Sequence, residues 1–235
     1  MYEAYRPSYP KETIDFLNEA INLKSSSVVA DIGSGTGISA RLFLDNGNTV
    51  YAVEPNEAMR KAAEEALSGF NNFHSVCGSS EHTTLQEESV DLIVAAQAFH
   101  WFDPVPTKKE FLRILKPSGY LVVLYNRRFG TEGFMKEYLS LIEKYSENYI
   151  NKEKPNSPSD FFEGINVQEK ILYNPQKVDL DGLKGNLLSY SYIPMEEDPC
   201  FPAMISELEG IFDRYNINGE IVLEYNTFIT YCRLK

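Results

Sequence analysis

Apolar residues along this chain follow two periods in alternation. Short, nearly unbroken apolar runs at Val28–Ile32, Thr49–Glu54, Phe73–Cys77, Val90–Ala95 and Tyr120–Tyr125 read as buried strands. Between them apolar positions recur at three and four residues. Ile14, Leu17 and Ile21 mark a helix over Lys11–Leu23, and Ile38, Leu42 and Phe43 mark one that ends near Asn46-Gly47. Ala58, Met59, Ala62, Ala63 and Ala66 form the inner side of a helix over Pro55–Leu67. Pro104 and Pro106 lead into a helix that reaches Leu115, and Lys116-Pro-Ser-Gly119 reads as a turn. Strand and helix alternate to about residue 125, which predicts an open, mostly parallel sheet with helices on both faces. Beyond that the pattern predicts helices at Thr131–Tyr149, Asp179–Ser189 and Phe201–Tyr215, and a strand at Val167–Tyr173. Asn151–Asp160 reads as a polar linker, and Ile221–Arg233 as a final β run bent at Tyr225–Asn226.

The first strand runs into Gly33-Ser34-Gly35-Thr36-Gly37 and then a helix. Such a turn lets a backbone approach a nucleotide-like cofactor, because glycine has no Cβ and tolerates positive φ. Glu54 ends the second strand beside that turn, where an acid accepts hydrogen bonds from ribose hydroxyls. In an open α/β sheet, ligands bind outside the carboxyl ends of the strands. The other loops expected there are Ser79-Ser80-Glu81, Ala96–Asp103 with His100 and Trp101, and Tyr125–Arg128. No Gly-Lys-Ser/Thr phosphate loop occurs, and no cysteine or histidine spacing suggests a metal site.

The 43% hydrophobic content of 235 residues supports a sizeable core. A net charge of −12 argues against a nucleic-acid partner. Three scattered cysteines read as free thiols, and no apolar run is long enough to span a membrane. With no leader-like pattern at the N-terminus, the expectation is a cytoplasmic protein. The charge and spacing say nothing of oligomeric state.

Read together, Asp31-Ile-Gly-Ser-Gly-Thr-Gly37, Val53-Glu54-Pro55 with Met59, Val90-Asp-Leu-Ile-Val with Gln97-Ala-Phe-His-Trp-Phe-Asp103, and Leu115-Lys-Pro-Ser-Gly119 resemble the class I S-adenosylmethionine-dependent methyltransferases. Tyr5-Arg-Pro-Ser-Tyr-Pro10 with the Gln97 segment is similar to the small-molecule, trans-aconitate-methyltransferase-like subset of the type 11 methyltransferases. The resemblance implies a Rossmann-like, doubly wound α/β fold with strand order 3-2-1-4-5-7-6, strand seven antiparallel, and a mainly helical cap. It implies one domain over 1–235, with a core at about 24–128 and 160–235, a lid at 1–23 and cap elements at about 129–160 and 179–215. S-adenosylmethionine, leaving as S-adenosylhomocysteine, would meet Tyr9, Asp31, Gly33, Ser34, Gly35, Gly37, Glu54, Pro55, Met59, Ser79, Ser80, Glu81 and Gln97. Many relatives carry Asp where Ser79 stands. Tyr5, Arg6, Trp101, Arg127 and Tyr192 would face a small-molecule acceptor, with His100 as a base or a pocket residue; from the residues themselves, Arg127 and Arg128 read either as binders of an acidic substrate or as solvated surface. Two other readings share the turn: a nicotinamide-dependent oxidoreductase, whose fingerprint wants glycine where Ile38 stands, and a cofactor-binding module without catalysis.

Overall fold

The computed structural model describes residues 5–146, 161–190 and 192–235. The first five apolar runs form β1 (Val28–Ile32), β2 (Thr49–Val53), β3 (Phe73–Val76), β4 (Val90–Ala96) and β5 (Leu115–Arg128). The helices among them are α1 (Glu12–Ile21), α2 (Ile38–Asp45), α3 (Glu57–Ala66) and α4 (Pro104–Ile114). The second half adds α5 (Gly133–Ser146), β6 (Gln168–Tyr173), β7 (Gln176–Val178), α6 (Leu180–Leu188), α7 (Phe201–Tyr215), β8 (Ile221–Leu223) and β9 (Tyr225–Arg233). Seven strands make one sheet in the order β3-β2-β1-β4-β5-β9-β6, mostly parallel with one antiparallel strand. This is the expected order, with β6 as sixth strand and β9 as seventh. β1 lies in the middle, Asp31 being paired with Ala52 of β2 and with Val94 of β4. The strand order reverses there, so the crevice for a ligand opens at the end of β1.

The chain packs as two compact units. The larger comprises Ser8–Asn126, Lys154–Leu172 and Thr227–Lys235. Its central strands are apolar on both faces because each face is covered. Val29, Val50, Leu92 and Val122 join Leu17 of α1 and Phe43 of α2 in one buried layer, and Ala30, Ile32, Ile93 and Leu121 join Phe111 and Ile114 of α4 in the other. Residues 8–23, expected as lid, therefore belong to the core of this unit, with Leu17 fully buried. The smaller unit comprises Met1–Pro7, Arg127–Glu153 and Tyr173–Asn226. It is built on α5, α6, α7 and the antiparallel β7–β8 pair, around Tyr138, Leu183, Met204, Leu208 and Tyr225. The Asn151–Asp160 linker reading lies outside the described residues.

Several local expectations are corrected. Lys116–Gly119 is part of β5, not a turn before it. Val90 pairs with Leu115 and Leu92 with Tyr120, so the extra residues bulge between the two pairs. Lys116 pins the bulge, its Nζ lying 2.9 Å from both oxygens of Asp91. On α3 only Ala63 is buried, while Ala58, Met59 and Ala66 face solvent. Pro55 precedes that helix, and Asn56 caps it by accepting from the Met59 N–H at 3.1 Å. β7 was not expected, its three residues being too few to show a period. The final β run breaks at Glu224 into β8 and β9.

Glu110 of α4 anchors the loop after β3. It accepts from the Thr83 N–H (2.9 Å) and hydroxyl (2.6 Å) and from Arg113 Nε and Nη2 (2.7 Å each). The Arg113 hydrogen bonds outweigh burial, which acts in the opposite direction, and with Thr83 they hold the carboxyl down to about 2. A depressed carboxylate contributes stability that is present above its unfolded value and lost as pH falls through the folded one. Glu110→Ala is expected to cost about 2–3 kcal/mol at pH 7 and much less near pH 2, read by urea unfolding at both values. Equal costs at the two would refute the assignment.

Candidate functional site

The turn after β1 is held by glycines with φ of +68° (Gly33), +56° (Gly35) and +92° (Gly37). They differ in surroundings. A Cβ on Gly33 would lie 2.7 Å from Ala98 Cβ, whereas one on Gly35 would meet nothing within 4 Å. The backbone at Gly35 thus borders open space. Its N–H donates to Glu54 Oε2 at 3.0 Å, while the Asn56 N–H donates to Oε1 at 2.9 Å. Glu54 is only 7% exposed. A carboxylate has about four acceptor positions, so capacity remains for two more donors.

Asp31 is fully buried at the end of β1. Its Oδ2 accepts from the Ser39 hydroxyl of α2 at 2.7 Å, and its Oδ1 is buried with no hydrogen-bond partner. Burial, reinforced by the charge of Glu54 and opposed by Ser39, pushes its carboxyl up to about 7. An unpartnered buried acceptor is costly, and a cationic N–H donor from a ligand would relieve it. The open backbone at Gly35, spare acceptors on Glu54 and the orphan oxygen of Asp31 fit a group carrying hydroxyls and an ammonium.

The loop after β3 is tied down by its own side chains. Ser80 Oγ donates to Glu81 Oε1 at 2.7 Å and accepts from Thr107 Oγ1 at 3.1 Å. Burial raises the Glu81 carboxyl, but hydrogen bonds from Ser79 and Ser80 prevail and hold it below its usual value. After β4, Gln97 adopts a φ of +55°, uncommon for a residue with a side chain. Its Nε2 donates to Asn126 O at 2.9 Å, so the amide braces β5. Phe99–Trp101 is a short 3-10 turn. In it His100 Nδ1 lies 3.2 Å from the Tyr125 hydroxyl, and burial lowers the imidazole from its ordinary value, favouring the neutral base at pH 7. Trp101 is 70% exposed. Its neighbours Phe99 and Phe102 are buried instead, with the Phe99 ring centred 5.0 Å from that of Phe161 and 5.4 Å from that of Phe162.

The larger unit thus brings together Asp31, Gly33, Ser34, Gly35, Gly37, Glu54, Pro55, Met59, Ser79, Ser80, Glu81, Gln97 and His100 at the carboxyl ends of β1 to β4. Pro55 and Met59 are exposed there, while Tyr9 is buried in the core layer. Tyr5, Arg6, Arg127 and Tyr192 belong to the smaller unit. Tyr5 packs on Gly185 of α6, and its carbonyl accepts from Asn186 Nδ2 at 2.8 Å. Arg6 donates to Ser189 O at 2.8 Å. The Arg127 side chain is exposed. Among the described residues no three or more His, Cys, Asp or Glu side chains cluster as a metal site would require, and no described helix is long and apolar enough to cross a membrane.

Comparison with known proteins decides among the cofactors such a site fits. The methyltransferase domain family matches residues 30–123, which hold the Gly turn, Glu54 and the β4 loop. A methyltransferase-like protein of Schizosaccharomyces pombe is 30% identical over 238 residues, covering 96% of this chain and 90% of that protein. The chain belongs to the class I S-adenosylmethionine-dependent methyltransferases. This methyltransferase is also 33% identical over 124 residues to a malonyl-[acyl-carrier protein] O-methyltransferase of Marinomonas sp., covering 52% of this chain and 46% of that one. Its fold matches a putative type II methyltransferase from Anaeromyxobacter dehalogenans, with a TM-score of 0.78 at 20% identity and 98% of each chain covered.

One feature of the methyltransferase escaped sequence reasoning. Ser39, the partner of Asp31, lies on the first turn of α2 eight residues later, and its position beside the glycines was the available signal. Arg128, read from the sequence together with Arg127, is told apart from it only by the strand. A strand alternates its side chains, so one of two adjacent arginines must turn inward. β5 extends to Arg128, which is half-buried while Arg127 is exposed.

Proposed function

We propose that this methyltransferase, acting as one domain over 1–235, transfers its methyl group by in-line displacement to an oxygen or nitrogen of a small-molecule acceptor, a carboxylate among the candidates. The observation that carries the reading is the His100–Tyr125 pair, an imidazole on the loop that packs against the Gly turn through Ala98 and a phenol on β5, 3.2 Å apart. The likeness to a malonyl-[acyl-carrier protein] O-methyltransferase supports an oxygen acceptor. When bound, the cofactor supplies an electrophilic methyl on a sulfonium, strong enough that the proposal assigns no metal. Asp31 and the Gly33–Gly37 backbone hold its amino-acid part, Glu54 accepts from its ribose hydroxyls, and Ser79, Ser80 and Glu81 border its base, with Pro55 and Met59 at the exposed rim. Gln97 acts through its strained backbone, its side chain being engaged with Asn126. His100 takes the proton of an alcohol or amine acceptor, and a carboxylate needs no such base. Alignment and exclusion of water do the rest, a contribution of up to ~7–11 kcal/mol. The acidic chain speaks against nucleic acid as acceptor. Three free cysteines suit the reducing cytoplasm.

Isotope-labelled S-adenosylmethionine with a panel of small acids, phenols and amines tests the reading. His100→Asn is expected to slow transfer to a phenol or amine by about 10²-fold or more, with cofactor affinity kept, and to leave transfer to a carboxylate nearly unchanged. Binding of S-adenosylhomocysteine without transfer to any small acceptor would favour the non-catalytic module.

A further inference from the structure

Among the described residues, the smaller unit contains a guanidinium with no carboxylate partner. Arg128 is half-buried at the end of β5, and its Nη2 donates to the Tyr192 hydroxyl at 2.6 Å. Its Cζ lies 4.2 Å from the centre of the Tyr190 ring and 5.9 Å from that of Tyr138. Tyr190 and Tyr192 are stacked with centroids 5.3 Å apart. Nη1 is buried and has no hydrogen-bond partner among the described residues. Among the described residues no carboxylate forms an ion pair with Arg128, although eight other such pairs occur in them. The neighbouring phenols do not supply the missing charge. Burial holds Tyr138, Tyr192 and Tyr225 above the usual phenol value, so they are neutral at pH 7. Nor are the Tyr138 and Tyr225 hydroxyls free to turn away, since both donate to Asn186 Oδ1, at 3.0 and 3.2 Å.

A second cation lies on the same ring, with Arg6 5.2 Å from the centre of Tyr190. In a chain of net charge −12, with 34 acidic side chains against 22 Lys and Arg, an interior arginine left to phenols alone marks a place built for a ligand's charge. The planar fork of Arg matches a carboxylate, and the tyrosine faces around it suit a small organic body.

We propose that Arg128, walled by Tyr138, Tyr190 and Tyr192, binds the carboxylate of a small organic acid. Nη1 and the edge of the guanidinium take the two carboxylate oxygens, and the Tyr192 hydroxyl, which accepts from Nη2, donates its own proton to one of them. The site goes beyond the methyl-transfer reading and does not depend on it.

Calorimetry on the full chain tests the site without any methyl transfer, using succinate, citrate and benzoate against succinamide and benzamide. At least one acid is expected to bind, and both amides to bind at least about tenfold more weakly. Arg128→Met is expected to raise the acid's Kd about tenfold or more and leave S-adenosylhomocysteine binding intact. Arg128→Lys should fall between, because it keeps the charge and loses the fork. Tyr192→Phe, which keeps the ring, should raise the Kd about threefold, and it carries the test if Arg128→Met fails to fold. Without acid, Arg128→Met is expected to melt no lower than the parent, since it removes an uncompensated charge. Equal acid affinity in the parent and both Arg128 variants, amide binding as tight as acid binding, or a parent that binds S-adenosylhomocysteine and none of the acids would overturn the proposal. Acid binding without transfer to any acceptor would count against the methyl-transfer reading alone.

Discussion

Glu54→Ala is expected to weaken S-adenosylhomocysteine binding at least about 100-fold, or roughly 2.7 kcal/mol. The carboxylate acts in two directions. Toward the protein it accepts the backbone N–H groups of Gly35 and Asn56, at 3.0 and 2.9 Å. Toward the cofactor it is proposed to accept the ribose hydroxyls with its remaining positions. A hydrogen bond to a charged group contributes about 1.5–3 kcal/mol, so either role alone would give a measurable loss. Glu54→Gln separates charge from shape. An amide has one accepting atom, and two backbone donors converge on this side chain. One of them must then face an NH2 group, so the conservative change should also loosen the Gly turn. Calorimetric titration with S-adenosylhomocysteine, alongside thermal melting of the empty protein, reads both effects. Binding by Glu54→Ala within threefold of the parent would refute the ribose assignment.

Asp31→Asn should have opposite effects on stability and binding. The acid is raised from 3.8 to about 7 in the folded chain, burial being the main cause. Between those values the native state binds a proton that the unfolded state has released, so stability falls as pH rises from about 4 to about 7 and is level above that. The span of the shift corresponds to roughly 4 kcal/mol as an upper figure. Asn carries no such titration. The variant is therefore expected to unfold at higher denaturant than the parent at pH 8 and to lose the pH slope. Cofactor binding goes the other way. An ammonium beside Asp31 favours its ionised form, so affinity in the parent should rise with pH up to about 7, with proton uptake by the buffer on binding below that. Titrations in two buffers of different ionisation enthalpy measure that proton directly. A parent whose affinity and stability are both flat between pH 5.5 and 8 would remove Asp31 from this role. The pair of effects exchanges stability for function at one carboxylate.

The strands and helices as far as Tyr125 were legible because buried parallel strands and amphipathic helices have different periods, and Gly33–Gly37 and Glu54 mark the βαβ unit between them. Lys116–Gly119 misled because Pro and Gly mark a bulge as readily as a turn. A Cβ on Gly119 would lie 2.6 Å from the Leu115 side chain, a constraint that exists only once the strand has folded back on itself. Ending that strand at Tyr125 also hid the parity that separates Arg127 from Arg128. Trp101 read as a pocket wall from its type, yet its neighbours Phe99 and Phe102 take the interior and leave it outside. In a 3-10 turn, successive side chains point about 120° apart, and composition alone does not say which one faces in. The orphan oxygen of Asp31 and the bare guanidinium of Arg128 are properties of three-dimensional surroundings and have no one-dimensional signal.

Gly33 and Ala98 mesh like two teeth. A methyl at position 33 would sit 2.7 Å from the methyl of Ala98, so neither backbone has slack toward the other. A shift of the glycine turn must therefore carry Ala98, and with it His100 two residues on. The two positions also constrain each other's mutational history. A larger residue at 98 would press on the turn even if Gly33 were kept, and alanine at 33 would require glycine at 98 and would still face the cost of φ +68°. The turn and the loop are geared together, and random mutagenesis should recover alanine at 33 only together with glycine at 98.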